Sequence, residues 1–219
     1  MQIILDMSSG NTCKNDKNIV KKMIDAINAI DTDKHEIIFK WQLSLDDGIN
    51  VPLDHDVFDC AYWYAASSGY RTTSSVADLE SLKFLLQYDV SFVKIPNDRS
   101  LDWLIGEVPR KIPVYVSCND SYMMTNIWCN EWEYKDNITP LACISKYPAT
   151  IEEYVQEYQA DNFCGYLARK CPISDHTTDF TLWHKYQPQI IEWHFKLESS
   201  TGLDSGPFAR TPSQLAEIL

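Results

Sequence analysis

Strand-like apolar runs alternate with helix-periodic segments along the whole chain, and this alternation constrains the fold more than any other feature of the sequence. Gln2–Leu5 is a short apolar run. Ile19–Ile30 follows, with apolar residues at 19, 20, 23, 24, 27 and 30, the helical period. Glu36–Leu43 reads as a strand, and Asp56–Ser67 as a weakly periodic helix ending near Gly69. The pairing continues through Tyr70–Val76 with Asp78–Gln87, Val90–Ile95 with Leu101–Val108, and Ile112–Ser117 with Ser121–Trp132. Ile138–Ile144 precedes Ile151–Tyr158, and a strand within Phe163–Ile173 precedes Thr178–Tyr186. Ile190–Leu197 is the last strand. Thr211-Pro212-Ser213 opens a final helix, with threonine as cap and proline in the first turn. No linker-like stretch interrupts the series. Such alternation implies a parallel sheet, and eight units predict a compact closed (β/α)8 TIM barrel over residues 1–219 as one domain. A doubly wound open sheet is the alternative.

Barrels of this kind carry their sites at the C-terminal ends of the strands. There the sequence places Asp6, Lys40, Ser75, Lys94, Ser117, Ser145 with Tyr147, His176 and His194. Serines are ordinary where loops begin. Lys40, within Phe39-Lys40-Trp41, and Lys94, within Phe92-Val93-Lys94-Ile95, are not: a lysine among apolar residues is costly to desolvate without an anion. An anionic ligand is the expectation. His176 and His194 lie 18 residues apart, each beside an acidic residue, Asp175 and Glu192. On neighbouring parallel strands their tips would stand roughly 5 Å apart, within reach of one divalent metal.

Composition limits the partners. A net charge of −12 repels phosphate backbones, so nucleic acid and anionic membranes are excluded as expected partners. No apolar run approaches the roughly 20 residues of a membrane span, and the first residues lack the pattern of a signal peptide, so a cytoplasmic location is expected. The seven cysteines, Cys13, Cys60, Cys118, Cys129, Cys143, Cys164 and Cys171, form no Cys-x-x-Cys pair, which argues against a disulfide framework or a thiolate zinc site.

The chain resembles the N-acetylneuraminate (sialic acid) synthase family. The strongest block is Ile173-Ser174-Asp175-His176-Thr177, followed by Glu192-Trp193-His194-Phe195, Gly202-Leu203-Asp204 and Pro212-Ser213-Gln214-Leu215. Upstream, Lys40-Trp41-Gln42, Lys94-Ile95, Pro113 to Ser117 and Tyr147-Pro148 match in the same order. The resemblance implies a (β/α)8 barrel that condenses phosphoenolpyruvate with an amino sugar such as N-acetylmannosamine, using Mn2+ or Mg2+. It implies metal ligation by His176 and His194, and phosphoenolpyruvate binding by Lys40, Lys94, Ser117 and Ser174. Ser75 stands where the family usually has threonine, and Ser145 where it has asparagine. Tyr147 and Asp204 fall at sugar-side positions, and Asp6 where the family carries a glutamate. With Glu192, these are the candidate catalytic groups.

Several segments depart from the family pattern. The first-strand loop reads Ser8-Ser9-Gly10-Asn11, and the loop after Lys94-Ile95 reads Pro96-Asn97-Asp98-Arg99, which leaves Asp98 as the candidate acid there. The resemblance covers the barrel, without the C-terminal antifreeze-like domain that in the family lends an arginine to a partner's sugar site. Arg210, a homodimer or a separate capping protein is the expected substitute. An altered barrel that binds an anionic metabolite, or a subunit that needs a partner, is the alternative reading.

Overall fold

The computed structural model describes residues 1–43, 50–119, 137–158 and 171–219. Eight parallel strands close a barrel in chain order: β1 (Gln2–Ser8), β2 (Glu36–Leu43), β3 (Arg71–Val76), β4 (Val93–Ile95), β5 (Val114–Cys118), β6 (Ile138–Cys143), β7 (Ile173–Asp175) and β8 (Ile190–His194). β8 pairs with β1, Gln2 opposite Ile190 and Asp6 opposite His194, so the open-sheet alternative falls. Around the barrel run α1 (Gly10–Cys13), α2 (Lys17–Ile30), α3 (His55–Ser67), α4 (Leu79–Leu85), α5 (Trp103–Glu107), α6 (Ile151–Tyr158), α7 (Thr181–Tyr186) and α8 (Pro212–Leu215). The expected helix over Ser121–Trp132, and residues 163–170 of the expected seventh strand segment, lie outside the described residues. No described helix is long and apolar enough to cross a membrane.

Local chemistry sets the boundaries. Asp16 and Asp78 cap α2 and α4 by accepting from the Asn18 and Ser81 amides. Thr211 and Gln214 form a reciprocal capping box at α8, with Pro212 in its first turn. Three elements are shorter than their apolar runs suggest. β4 begins only at Val93, because the Thr73 hydroxyl, rather than a ladder amide, takes the Phe92 carbonyl. α7 begins at Thr181, whose amide is taken by the Asp179 carboxylate at 2.8 Å. β8 ends at His194, where the chain exchanges a neighbouring strand for the later segment at Arg210: Arg210 N–H donates to His194 O at 2.7 Å and Lys196 N–H to Arg210 O at 2.9 Å, while Phe195 N–H still donates to Asp6 O at 2.8 Å.

Strand side chains alternate between the two faces, and here the faces differ sharply. The outward set, including Ile3, Leu5 and Met7 on β1 and Ile37, Phe39 and Trp41 on β2, packs beneath helices such as α2, whose Val20, Met23, Ile24 and Ile27 point inward. The barrel interior holds a smaller apolar layer of Ile4, Ile38, Phe92 and Leu141, flanked by Tyr115 and Ile190. Two residues further along each of these strands stand Asp6, Lys40, Lys94, Cys143, Ser117 and Glu192, in the same inward orientation. The apolar layer is therefore the floor on which a polar layer rests.

Phe92 anchors that floor, fully buried and stacked on Tyr115 at 4.1 Å between ring centroids. Phe92→Ala should destabilise the protein by about 3–5 kcal/mol in guanidinium denaturation. A loss below about 1 kcal/mol would show that the floor is not packed as described.

Candidate active site

The polar layer opens into a cavity of about 620 Å3 at the C-terminal ends of the strands. It gathers Asp6, Lys40, Ser75, Lys94, Ser117, Tyr147, Ser174, His176, Glu192, His194 and Asp204, eleven of the residues singled out in the sequence. Two others are not brought in. Asp98 is exposed and turned to its own loop, where its carboxylate accepts from the Ser100 amide and hydroxyl at 2.9 and 2.8 Å. Ser145 is exposed and takes a 2.6 Å hydrogen bond from the Asn97 amide.

Four charges sit at the centre. Lys40 Nζ lies 2.6 Å from Asp6 Oδ2 and 3.5 Å from Glu192 Oε2. Lys94 Nζ lies 3.4 Å from Glu192 Oε1 and donates to Ser117 Oγ at 2.7 Å. Ser174 donates its hydroxyl to Glu192 Oε1 at 2.7 Å, and Gln42 donates to both Asp6 oxygens at 3.2 and 3.0 Å. This corrects the reasoning from the sequence that buried lysines require an external anion. The chain supplies the counter-charges itself, two carboxylates against two ammonium groups.

The proton affinities follow from this arrangement. Burial pushes the Asp6 and Glu192 carboxyls up, but the adjacent lysines outweigh it and hold both below the ordinary carboxylate range. Burial pulls Lys40 down, but Asp6 and Glu192 outweigh it and raise it. Lys94 is lowered: burial dominates, Glu192 offsets it only in part, and Lys40 repels it. Burial also pushes the Cys143 thiol up to about 11, so it stands in the cavity as a neutral thiol and not a nucleophile.

Above the charges stand the imidazoles, their ring centroids 5.3 Å apart on neighbouring strands. Their acidic neighbours behave differently because strand positions alternate. Glu192, two residues before His194, shares its inward face. Asp175, one residue before His176, points outward to Trp193 Nε1 at 2.9 Å and Arg210 Nη2 at 3.2 Å.

The protons on the pair decide whether it suits a metal. His176 Nδ1 lies 2.7 Å from the Ile144 carbonyl, which can only accept, so the ring proton sits there and Nε2 carries a lone pair. Burial, and then the neighbouring His194, lower the His176 ring to about 3, so it is neutral. Its Nε2 faces Ser174 Oγ at 3.3 Å, but the one hydroxyl proton of Ser174 is committed to ionised Glu192. Nε2 is thus a buried lone pair without a proton to receive. His194 Nδ1 is likewise buried without a hydrogen bond, 3.6 Å from Asp6 Oδ2. An imidazole lone pair that meets no proton, beside a second buried imidazole nitrogen without a hydrogen bond, fits a borderline divalent ion. Among the described residues no group of three or more His, Cys, Asp and Glu side chains could hold one, so the protein's share would be these two nitrogens.

Some contributors were missed. Gln42, two positions beyond Lys40, was legible from strand alternation. Phe208, Leu203 and Pro207 form an apolar wall beside the imidazoles, with the Phe208 ring 5.0 Å from His194, and carried no periodic signal. Tyr154 reaches from α6 to accept from His176 N–H at 3.2 Å and to donate to the Ser174 carbonyl. Arg210, expected as a stand-in for the family's arginine, is fully buried outside the cavity.

Against known proteins, a search of curated sequences finds no match. Among solved structures, the fold is similar to an N-acetylneuraminic acid (sialic acid) synthetase from Leptospira borgpetersenii serovar Hardjo-bovis, with a TM-score of 0.73 and 17% identity over 99% of this chain and 80% of that one. A putative spore coat polysaccharide biosynthesis protein E from Chromobacterium violaceum gives a TM-score of 0.75 at 15% identity, covering 99% of this chain and 72% of the other. A spore coat polysaccharide biosynthesis protein from Bacillus subtilis gives 0.74 at 20%, covering 99% and 65%. At these identities the likenesses establish the barrel. The sequence model of the NeuB family matches residues 40–219, which contain all of the site's lysines, serines and histidines named above. The chain belongs to the NeuB family.

Proposed function

We propose that this chain is a transferase of carbohydrate biosynthesis that condenses phosphoenolpyruvate with an amino sugar resembling N-acetylmannosamine, forming a sialic or related nonulosonic acid. The observation that carries the reading is the meeting, in one cavity, of Lys40, Lys94, Ser117 and Ser174 with two imidazoles, that of His176 presenting a lone pair no proton meets and that of His194 a buried nitrogen without a hydrogen bond. Family membership supports it.

In this reading the lysines, with Ser75, Ser117 and Ser174, hold the phosphate and carboxylate, while Tyr147 and Asp204 face the sugar. Mn2+ or Mg2+ held by His176 and His194 would supply Lewis-acid polarisation of the sugar aldehyde. Carbon 3 of the enol ester attacks the aldehyde carbon, water adds at carbon 2, and the carbon–oxygen bond to phosphate breaks as phosphate leaves. Asp6 and Glu192, held ionised, order the lysines; together with Asp204 they are the carboxylates that line the cavity among the described residues. The mouth, where Tyr147 and Leu203 are about half exposed, would be covered by a second copy or a separate capping protein in the cytoplasm.

One observation favours a second reading, an altered barrel that holds an anionic metabolite without turnover. The wall after β4 lacks the candidate acid, because Asp98 is turned to Ser100.

Incubation with Mn2+, phosphoenolpyruvate and a panel of aldoses should release phosphate in step with a nonulosonic acid. Phosphoenolpyruvate binding without phosphate release would favour the second reading, and no binding would contradict both. Replacing His176 or His194 with alanine should remove most Mn2+ binding in calorimetry while the fold persists. Full-affinity Mn2+ binding by the double alanine variant would contradict the metal assignment.

A further inference from the structure

Arg210 lies fully buried, outside the cavity, between the exits of β7 and β8. Its guanidinium donates to Thr177 O at 2.7 Å, Asp179 O at 2.6 Å and Asp175 Oδ2 at 3.2 Å, all on the segment that carries His176. It also donates to Phe208 O at 3.1 Å, and it sits 5.0 Å from the Phe180 ring centroid. Its backbone belongs to the other exit, where Arg210 N–H donates to the carbonyl of His194 itself. One rigid, planar cation therefore spans from the segment of one imidazole to the backbone of the other. It also fixes Phe208, whose ring packs edge-on against His194 at 88° and lies 5.0 Å from Tyr147.

The strand ladder alone does not provide this lock. β7 and β8 pair only through Ile173–Asp175 and Ile191–Trp193, so both histidines stand just past the paired stretch. His194 is also paired with Asp6 of β1, and His176 is held by Tyr154 and the Ile144 carbonyl, but these ties hold each histidine to a different neighbour and do not join one exit to the other. Lysine could not replace the fork, since a point charge lacks the fixed donor geometry that reaches several acceptors at once.

We propose that Arg210 is a positioning residue that sets the separation and orientation of the His176 and His194 rings by locking the exits of β7 and β8 together. The metal-binding part of the test rests on the function proposed above; the ring geometry does not. Arg210→Lys keeps the charge and loses the fork. Trp193→Phe is the control: it removes a hydrogen bond to the same buried Asp175 but leaves the lock between the exits intact. Arg210→Gln, with a planar amide donor, is the second variant should Arg210→Lys fail to fold.

Mn2+ titration followed by electron paramagnetic resonance, well below each variant's melting temperature, should show affinity falling about 10- to 100-fold in the Arg210 variants. Trp193→Phe should stay within about 2-fold of the parent, on the reasoning that only supports of the ligands themselves shift affinity by an order of magnitude. In metal-free protein, the imidazole ring signals of His176 and His194 should move in both Arg210 variants and hold in Trp193→Phe. Unmoved ring signals in the Arg210 variants, or equal disturbance in Trp193→Phe at matched stability, would overturn the proposal. If the parent binds no Mn2+, the metal reading fails, and the ring signals alone decide the positioning role.

Discussion

Asp6, Lys40, Glu192 and Lys94 form a closed set of charges inside the barrel, directly above its apolar layer, and the geometry of the cavity depends on it. Each carboxylate contacts an ammonium group, and Glu192 touches both lysines and Ser174. Compared with a well-packed apolar layer, buried ion pairs add little net stability, whereas removing one partner is costly because it strands the other. Stability therefore does not account for charges at a level where barrels of this class ordinarily pack branched apolar side chains. Their arrangement does explain how a chain with a net charge of −12 keeps two ammonium groups available to an anion. The outer surface carries the negative excess, while the interior is balanced and polarisable.

An incoming anion has to compete with Glu192 and Asp6 for the lysines. Lys94 is the more available of the two. It has one carboxylate neighbour against two for Lys40, it is lowered by burial, and the shorter of its two hydrogen bonds goes to a neutral hydroxyl. A ligand that adds negative charge near Lys94 and Ser117 relieves that imbalance, while Lys40 stays tied to Asp6 at 2.6 Å. The imidazoles are one layer higher, so the cavity is graded from a charged base to an upper wall of imidazole nitrogens.

The fold was legible because its two periodicities are strong: strand runs buried on both faces, and helices whose apolar stripes follow their caps. The polar layer was legible for the same reason, since Ile38 to Lys40, Phe92 to Lys94 and Ile190 to Glu192 are steps of two along single strands. Asp98 misled because sequence gives proximity to a strand end but not the direction of a side chain. The local Ser100 amide and hydroxyl captured it. Asp175 shows the complementary limit, since being adjacent to a histidine in a strand places it on the opposite face. Phe208 and Arg210, from an aperiodic segment, and Tyr154, from α6, come to the site or its support through long-range packing, which no local pattern encodes.

Isothermal titration of the protein with phosphoenolpyruvate in the presence of Mn2+, alongside Lys94→Met, tests most directly whether the charged layer is an anion site. One molecule should bind per chain, with binding lost in the variant. Absence of binding at millimolar concentration, or undiminished affinity in Lys94→Met, would contradict it.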